Sequence, residues 1–155
     1  MTGPVLVTGA TGFLGEHQCA ELRRRDLPVT ALARTRSDYL EDLGVTVVRG
    51  DVLSAADLDR AMPGVRAVMH LAGMVSRDPA DASRMMRLHV DGTRSVAEAM
   101  ARHGVKRMVL ASTSEIIVSV GSDVVVDQQA VRELVARFVR PDIAAVGGWV
   151  DVRNK

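Results

Sequence analysis

The stretch that decides the fold lies near the N-terminus and reads Val5-Leu6-Val7-Thr8-Gly9-Ala10-Thr11-Gly12-Phe13-Leu14-Gly15. A short aliphatic run passes directly into three glycines spaced G-x-x-G-x-x-G, and an amphipathic segment follows. Gly9 permits a tight turn, Gly12 leaves the backbone open to a phosphate, and Gly15 lets the helix pack closely on the sheet. The stretch therefore predicts a cradle for a dinucleotide pyrophosphate, held by backbone N–H groups and the helix dipole. A mere tight turn is the alternative interpretation.

Short β-rich runs alternate with helical stretches along the rest of the chain. The predicted strands are residues 5–8, 29–33, 45–49, 67–71 and 106–111. The predicted helices are residues 12–25, 37–43, 54–62 and 79–103, with Ser54 and Asp57 as a capping box at the third. The strands lack in–out alternation, as strands buried on both faces do. This pattern predicts an α/β fold, a single-domain doubly wound parallel sheet of the Rossmann type.

Composition excludes several classes of function. The chain has 155 residues, a formal net charge of +1 and no concentration of arginines, so neither a nucleic acid nor a membrane surface is expected as a partner. No apolar run approaches the ~20 residues of a membrane-spanning helix. Cys19 is the only cysteine, which favours a reducing cytoplasm. The four histidines lack metal-ligand spacing, so no metal site is expected.

The motifs resemble, in order, those of the extended and atypical short-chain dehydrogenase/reductases, a group that includes NAD-dependent epimerase/dehydratases and dihydroflavonol-reductase-like enzymes. After the glycine loop, the resemblance is carried over residues 4 to about 118 by Gly50-Asp51-Val52, His70-Leu71-Ala72-Gly73, Val90-Asp91-Gly92-Thr93 and Ala111-Ser112-Thr113-Ser114. His89 stands where the family's N-V-x-G-T motif has asparagine. The resemblance implies hydride transfer between NAD(P)H and a carbonyl or hydroxyl substrate, or epimerisation of a nucleotide sugar.

The resemblance and the glycine loop together give a set of candidate site residues. Cofactor contacts are expected from Gly9, Thr11, Gly12, Phe13, Leu14, Gly15, Asp51, Val52, Leu71, Ala72 and Gly73. Ser112 and Thr113 correspond to the position of the family's catalytic hydroxyl. Their place at the carboxyl end of a central strand favours that role over the alternative, in which they satisfy backbone groups at the strand end. The helix at residues 79–103 corresponds to one that often forms dimer interfaces in the family. A homodimer is therefore an expectation, with a monomer as its alternative.

The end of the second strand bears on which cofactor is bound. NAD-selective Rossmann domains usually place an acidic residue there, whereas this chain has Arg34, followed by Arg36 and Ser37. A guanidinium is suited to a 2′-phosphate, so the sequence favours NADP(H), with NAD(H) as the alternative. The arginines could also be ordinary solvated loop charges.

The family's catalytic Y-x-x-x-K pair has no counterpart in this sequence. The spacing of the resemblance would place the tyrosine near Arg140 and the lysine near Ala144, while the only tyrosine is Tyr39. We therefore expect a Rossmann domain over residues 1–138 and a divergent tail over residues 139–155, without the family's substrate domain. One hypothesis is a truncated or frame-altered ending, which reading the coding DNA in all three frames near codon 138 would test. The alternative is a catalytically inactive, nucleotide-binding sensor or interaction module.

Overall fold

The computed structural model describes residues 3–111 of the chain. The strands in this range are β1 (Val5–Thr8), β2 (Val29–Ala33), β3 (Thr46–Arg49), β4 (Ala67–His70) and β5 (Met108–Leu110). The helices are α1 (Phe13–Arg24), α2 (Asp38–Asp42), α3 (Ala55–Ala61), α4 (Ala82–Met86) and α5 (Gly92–Arg102). All five predicted strands are present, and each boundary lies within two residues of its prediction.

The strands form one parallel sheet in the order β3-β2-β1-β4-β5. From β1 the chain moves outward to β2 and β3, and it then returns to the other side of β1 as β4. The loops that follow β1 and β4 therefore lead away in opposite directions, and a crevice forms between them at the carboxyl ends of the strands. The predicted doubly wound Rossmann fold is confirmed.

Each face of the sheet carries its own core, which explains why the strands read as continuous apolar runs. On one face, Leu6 of β1 is buried with Leu58 of α3 and Val96 of α5. On the other face, Val7 is buried with Cys19 of α1 and Leu40 of α2. Neighbouring residues of β1 thus point to opposite cores, and neither face of β1 is left to solvent. The prediction of burial on both faces was wrong for β5, where Met108, Val109 and Leu110 are exposed.

Cys19 is a packing residue of the second core. Its side chain is fully buried, and that burial, with a smaller contribution from Glu16, raises the pKa of the thiol to about 11. The thiol therefore stays protonated and unreactive near neutral pH, because the thiolate is the nucleophilic form.

The long helix predicted over residues 79–103 departs from a single α-helix. A 3₁₀ turn (Pro79–Asp81) precedes α4, and a π-helical turn (Arg87–Asp91) lies between α4 and α5. In that turn the Gly92 N–H donates to the carbonyl of Arg87, five residues back. The prediction of one uninterrupted α-helix was therefore wrong in its middle, since apolar spacing does not reveal one extra residue within a turn.

None of the helices within residues 3–111 is long and apolar enough to cross a bilayer. Over the same residues, no group of three or more His, Cys, Asp or Glu side chains is arranged to hold a metal ion.

Candidate functional site

A cleft with a volume of about 320 Å³ opens at the carboxyl ends of β1 to β4. The glycine loop forms one wall through Gly9, Thr11 and Gly12, and the loop after β4 forms another through Leu71, Ala72 and Gly73. Arg34, Asp51 and Val52 line the part beyond β2 and β3. The structure thus brings nine of the twelve predicted cofactor residues together around one cleft.

The remaining three predicted cofactor residues form the first turn of α1, outside the cleft lining. Phe13 is largely exposed and Leu14 about half exposed, whereas Gly15 is buried. Among the described residues, no acceptor meets the backbone N–H groups of Phe13, Leu14 or Gly15. Unpartnered N–H groups at the start of a helix, together with the positive end of its dipole, attract phosphate oxygens.

The three glycines of the loop meet different physical requirements. Gly9 has a φ of +69°, and a Cβ there would lie 2.6 Å from the Ala72 nitrogen. A Cβ on Gly15 would lie 2.1 Å from the carbonyl oxygen of Gly9. These positions therefore need glycine to close the turn and to seat α1 on the sheet, as the spacing predicted.

Gly12 is different, because nothing in the described part of the chain requires glycine there. Its φ of −87° and ψ of 165° suit any residue, and the one atom within 4 Å of an added Cβ is the Gly9 oxygen at 3.4 Å. Gly12 lines the cleft, and the space beside it is open. Gly12 thus leaves room for a molecule that approaches the loop, which fits a dinucleotide pyrophosphate.

Three candidate polar residues follow β2, and they differ in their ion-pair and hydrogen-bond partners. Arg36 is paired with Glu41, with 2.7 Å between Nη2 and a carboxylate oxygen, and with Asp38 at 3.3 Å. The Ser37 hydroxyl caps α2 by accepting the N–H of Leu40. Arg34 lines the cleft and forms no ion pair or hydrogen bond among residues 3–111. Of the three, Arg34 alone presents an uncommitted cation to the cleft.

The loop after β3 is ordered by a contact that differs from the predicted capping box. The Ser54 hydroxyl accepts the N–H of Asp57 at 3.3 Å, as predicted. The Asp57 carboxylate, however, accepts the N–H of Asp51 at 2.9 Å, while the N–H of Ser54 donates to the Asp51 carbonyl. The predicted second half of the capping box, in which the Asp57 side chain accepts the N–H of Ser54, was therefore wrong. The hydrogen bond from Asp51 N–H, together with nearby Arg60, holds the pKa of Asp57 below its usual value.

A buried histidine joins the two walls of the cleft. His70 is 1% exposed, its Nδ1 lies 2.6 Å from the Thr8 hydroxyl, and its Nε2 lies 3.1 Å from the Thr93 hydroxyl. Thr8 also accepts the N–H of Ala72, and Thr93 donates to the carbonyl of His89 at 2.6 Å. Every group is satisfied when Thr8 donates to Nδ1 and Nε2–H donates to Thr93, which assigns the neutral tautomer. His70 thus has a structural role at this loop.

We predict that the free energy of unfolding falls as the pH drops below the usual histidine range, and that His70 causes part of this loss. Burial, with nearby His89, holds the pKa of folded His70 below its usual value. Below a pH of about 6.5, His70 binds a proton in the unfolded chain but not in the folded chain. This difference lowers the free energy of unfolding by at most about 1.4 kcal/mol per pH unit. Urea titrations of the parent and of His70→Gln between about pH 7.5 and about pH 5.5 measure this. An equally steep pH dependence in both proteins would contradict the assignment.

Several residues of the site were not predicted from the sequence. Leu32, Ala33, Gly50 and Leu88 also line the cleft. Gly50 carried a signal in its G-D-V motif, since a Cβ there would lie 2.6 Å from the Cβ of Asp57. Nothing in the local pattern distinguished Leu88 from an ordinary apolar helix residue.

Other predicted functional residues fall elsewhere. Ser112, Thr113 and the tail over residues 139–155 lie outside the described residues. Tyr39, the only tyrosine in the sequence, lies on α2 and is about half exposed; it does not line the cleft.

The chain is similar to known proteins over most of its length. Residues 5–140 match the model of the NAD dependent epimerase/dehydratase family. Cinnamoyl-CoA reductase 1 of Oryza sativa subsp. japonica is 39% identical over 118 residues, which cover 70% of this chain and 34% of that protein. The 3 beta-hydroxysteroid dehydrogenase type 7 of Rattus norvegicus is 36% identical over 123 residues, which cover 72% and 36%. The chain therefore spans about a third of the length of these curated relatives.

Solved structures show the same relationship. A short-chain dehydrogenase/reductase superfamily protein from Agrobacterium tumefaciens with bound NAD has a TM-score of 0.64 and 36% identity, covering 72% of this chain and 33% of its own. The Thermus thermophilus UDP-glucose 4-epimerase complex with NAD has a TM-score of 0.63 and 29% identity, covering 71% and 37%.

Proposed function

The chain belongs to the NAD-dependent epimerase/dehydratase family, and from this premise we propose that its cleft binds NAD(P) with the pyrophosphate against the glycine loop. The observation that carries the proposal is a combination found within the described residues. The N–H groups at the start of α1 have no acceptor, and Gly12, the residue before the helix, leaves open space beside the loop. Asp51 would lie beside the adenine half, and Leu71, Ala72 and Gly73 would line the other half. Bound nicotinamide would supply or accept hydride, and the substrate would be a small molecule with a carbonyl or hydroxyl group, as the resemblance to the family implies.

We propose further that NADP(H) is preferred over NAD(H). The two acids that come first after β2 in the sequence, Asp38 and Glu41, are both paired with Arg36 and are therefore already engaged. Arg34 remains to meet a 2′-phosphate. The related structures hold NAD, which keeps NAD(H) as the alternative.

The test is a fluorescence titration of the full chain and of Arg34→Ala with NADPH and, separately, with NADH. We expect Arg34→Ala to weaken NADPH binding by about tenfold to a hundredfold, the effect of losing one charge-assisted hydrogen bond. NADH binding should stay unchanged, because NADH lacks the 2′-phosphate.

Arg36→Ala is the matched control, since Arg36 lies two residues away and is engaged with Glu41. It should leave both affinities near those of the parent. Equal loss of NADPH and NADH binding in Arg34→Ala would overturn the NADP(H) preference and leave only the general dinucleotide site.

A second candidate function is a nucleotide-binding module without catalysis. It is favoured by the placement of Tyr39 on α2, away from the cleft, and by the absence of the Y-x-x-x-K pair from the sequence. Hydride transfer without a positioned proton donor is expected to be very slow. Turnover of a panel of aldehydes and ketones with NADPH separates the candidates: oxidation of the cofactor supports an enzyme, and saturable binding without oxidation supports the module.

Dimerisation through the long helical segment and a cytoplasmic location stay predictions. Met86 and Val90 of that segment are exposed, which is compatible with a dimer interface.

A further inference from the structure

His89 lies against the loop that forms the second wall of the cleft. Its Nε2 is 2.9 Å from the carbonyl oxygen of Met74 and 3.3 Å from the Met74 nitrogen. In the tautomer with its proton on Nδ1, Nε2 accepts from the Met74 N–H; in the tautomer with its proton on Nε2, Nε2 donates to the Met74 carbonyl. In either state the imidazole is tied to the backbone of this loop.

The imidazole also covers the glycine that precedes Met74. A Cβ built on Gly73 would lie 2.9 Å from Cε1 of His89, so the ring packs directly over the Gly73 backbone. Gly73 itself lines the cleft. The ring therefore supports the wall of the cleft at this residue.

His89 is in turn held by groups that reach the glycine loop. Its carbonyl accepts from the Thr93 hydroxyl, which contacts His70, and His70 contacts Thr8 directly before Gly9. The loop after β4 is therefore fixed at two points, at Ala72 by Thr8 and at Met74 by His89. His89 also lies within the π-helical turn, and such turns are frequent at functional sites.

We propose that His89 is a positioning residue for the dinucleotide, fixing the backbone of Gly73 and Met74 so that the cleft wall is already formed when the cofactor arrives. This rests on the proposed function for its effect on affinity. If the wall is already ordered, no binding energy is spent on ordering it, so loss of the His89 contacts weakens binding.

The test compares the full-length parent with His89→Ala and His89→Asn. NADPH affinity should fall about tenfold in His89→Ala, the effect of losing one hydrogen bond and the order it imposes. The amide of His89→Asn can both donate to and accept from the Met74 backbone, so this variant should bind within about threefold of the parent. Thermal stability should be nearly unchanged in both, because His89 is exposed.

Amide hydrogen exchange in the cofactor-free chain provides a readout that does not depend on binding. Exchange at Gly73 and Met74 should accelerate about tenfold in His89→Ala, while the amides of β1 stay protected. Unchanged exchange, or an affinity for NADPH within about twofold of the parent in His89→Ala, would overturn the positioning role. If the parent binds neither NADPH nor NADH, the proposed function fails, and the exchange result still decides whether His89 fixes this wall.

Discussion

Gly15→Ala is expected to destabilise the folded chain by about 3 kcal/mol, which lowers the melting temperature by roughly 6–12 °C in a protein of this size. The added methyl would lie 2.1 Å from the Gly9 oxygen and 2.7 Å from the Cα of Ala10. Both are backbone atoms that follow the end of β1, so relief requires α1 to move away from the sheet. Alanine gains about 1 kcal/mol over glycine in helix propensity, which offsets only part of this cost.

Thermal and urea unfolding of the full chain measure this effect. Gly12→Ala is the matched control, because it adds the same methyl group three residues earlier without a backbone clash. A melting temperature for Gly15→Ala within about 2 °C of the parent would show that α1 is not seated on the sheet as described.

Gly12→Ala is expected to reduce dinucleotide affinity by about tenfold to a hundredfold while leaving the fold intact. The methyl group would enter the cleft where the pyrophosphate is proposed to meet the loop, and it would hold the phosphate oxygens away from the N–H groups of α1. The stability of this variant should match the parent or exceed it by about 0.5 kcal/mol, because alanine fits the extended backbone at this position and restricts the unfolded chain.

Affinity and stability are therefore expected to respond differently to Gly12→Ala. Equilibrium binding of NADPH should weaken, and the urea midpoint should not fall. Unchanged affinity would place the phosphate elsewhere, and a loss of both stability and affinity would mean that Gly12 serves the fold rather than the ligand.

The sequence predicted the fold well because the relevant signals are local. An apolar run between turn residues identifies each strand, and β1 and β2 are buried on both faces as their continuous apolar character implied. The glycine spacing likewise anticipated the tight turn at Gly9 and the close packing at Gly15.

The parts of the site that the sequence did not predict depend on contacts between distant segments. Thr8 and His70 are 62 residues apart, and their hydrogen bond follows only from the parallel pairing of β1 with β4. Asp57 resembled a capping residue, yet it bonds to Asp51 because the loop after β3 comes within its reach. The π-helical turn between α4 and α5 differs from an α-helical turn by one extra residue, which apolar spacing does not encode.

Backbone amide resonances of the full chain, followed during titration with NADP⁺, show whether a dinucleotide binds along the carboxyl edge of the sheet with its pyrophosphate at the glycine loop. We predict saturable shifts at Gly9, Gly12 and Gly73, and also at Arg34, which is proposed to meet the 2′-phosphate. A second cleft at the opposite edge, lined by Gly64 and Gly104 among others, serves as the internal control and should not respond. The absence of saturable shifts, or shifts confined to that opposite edge, would contradict this mode of binding.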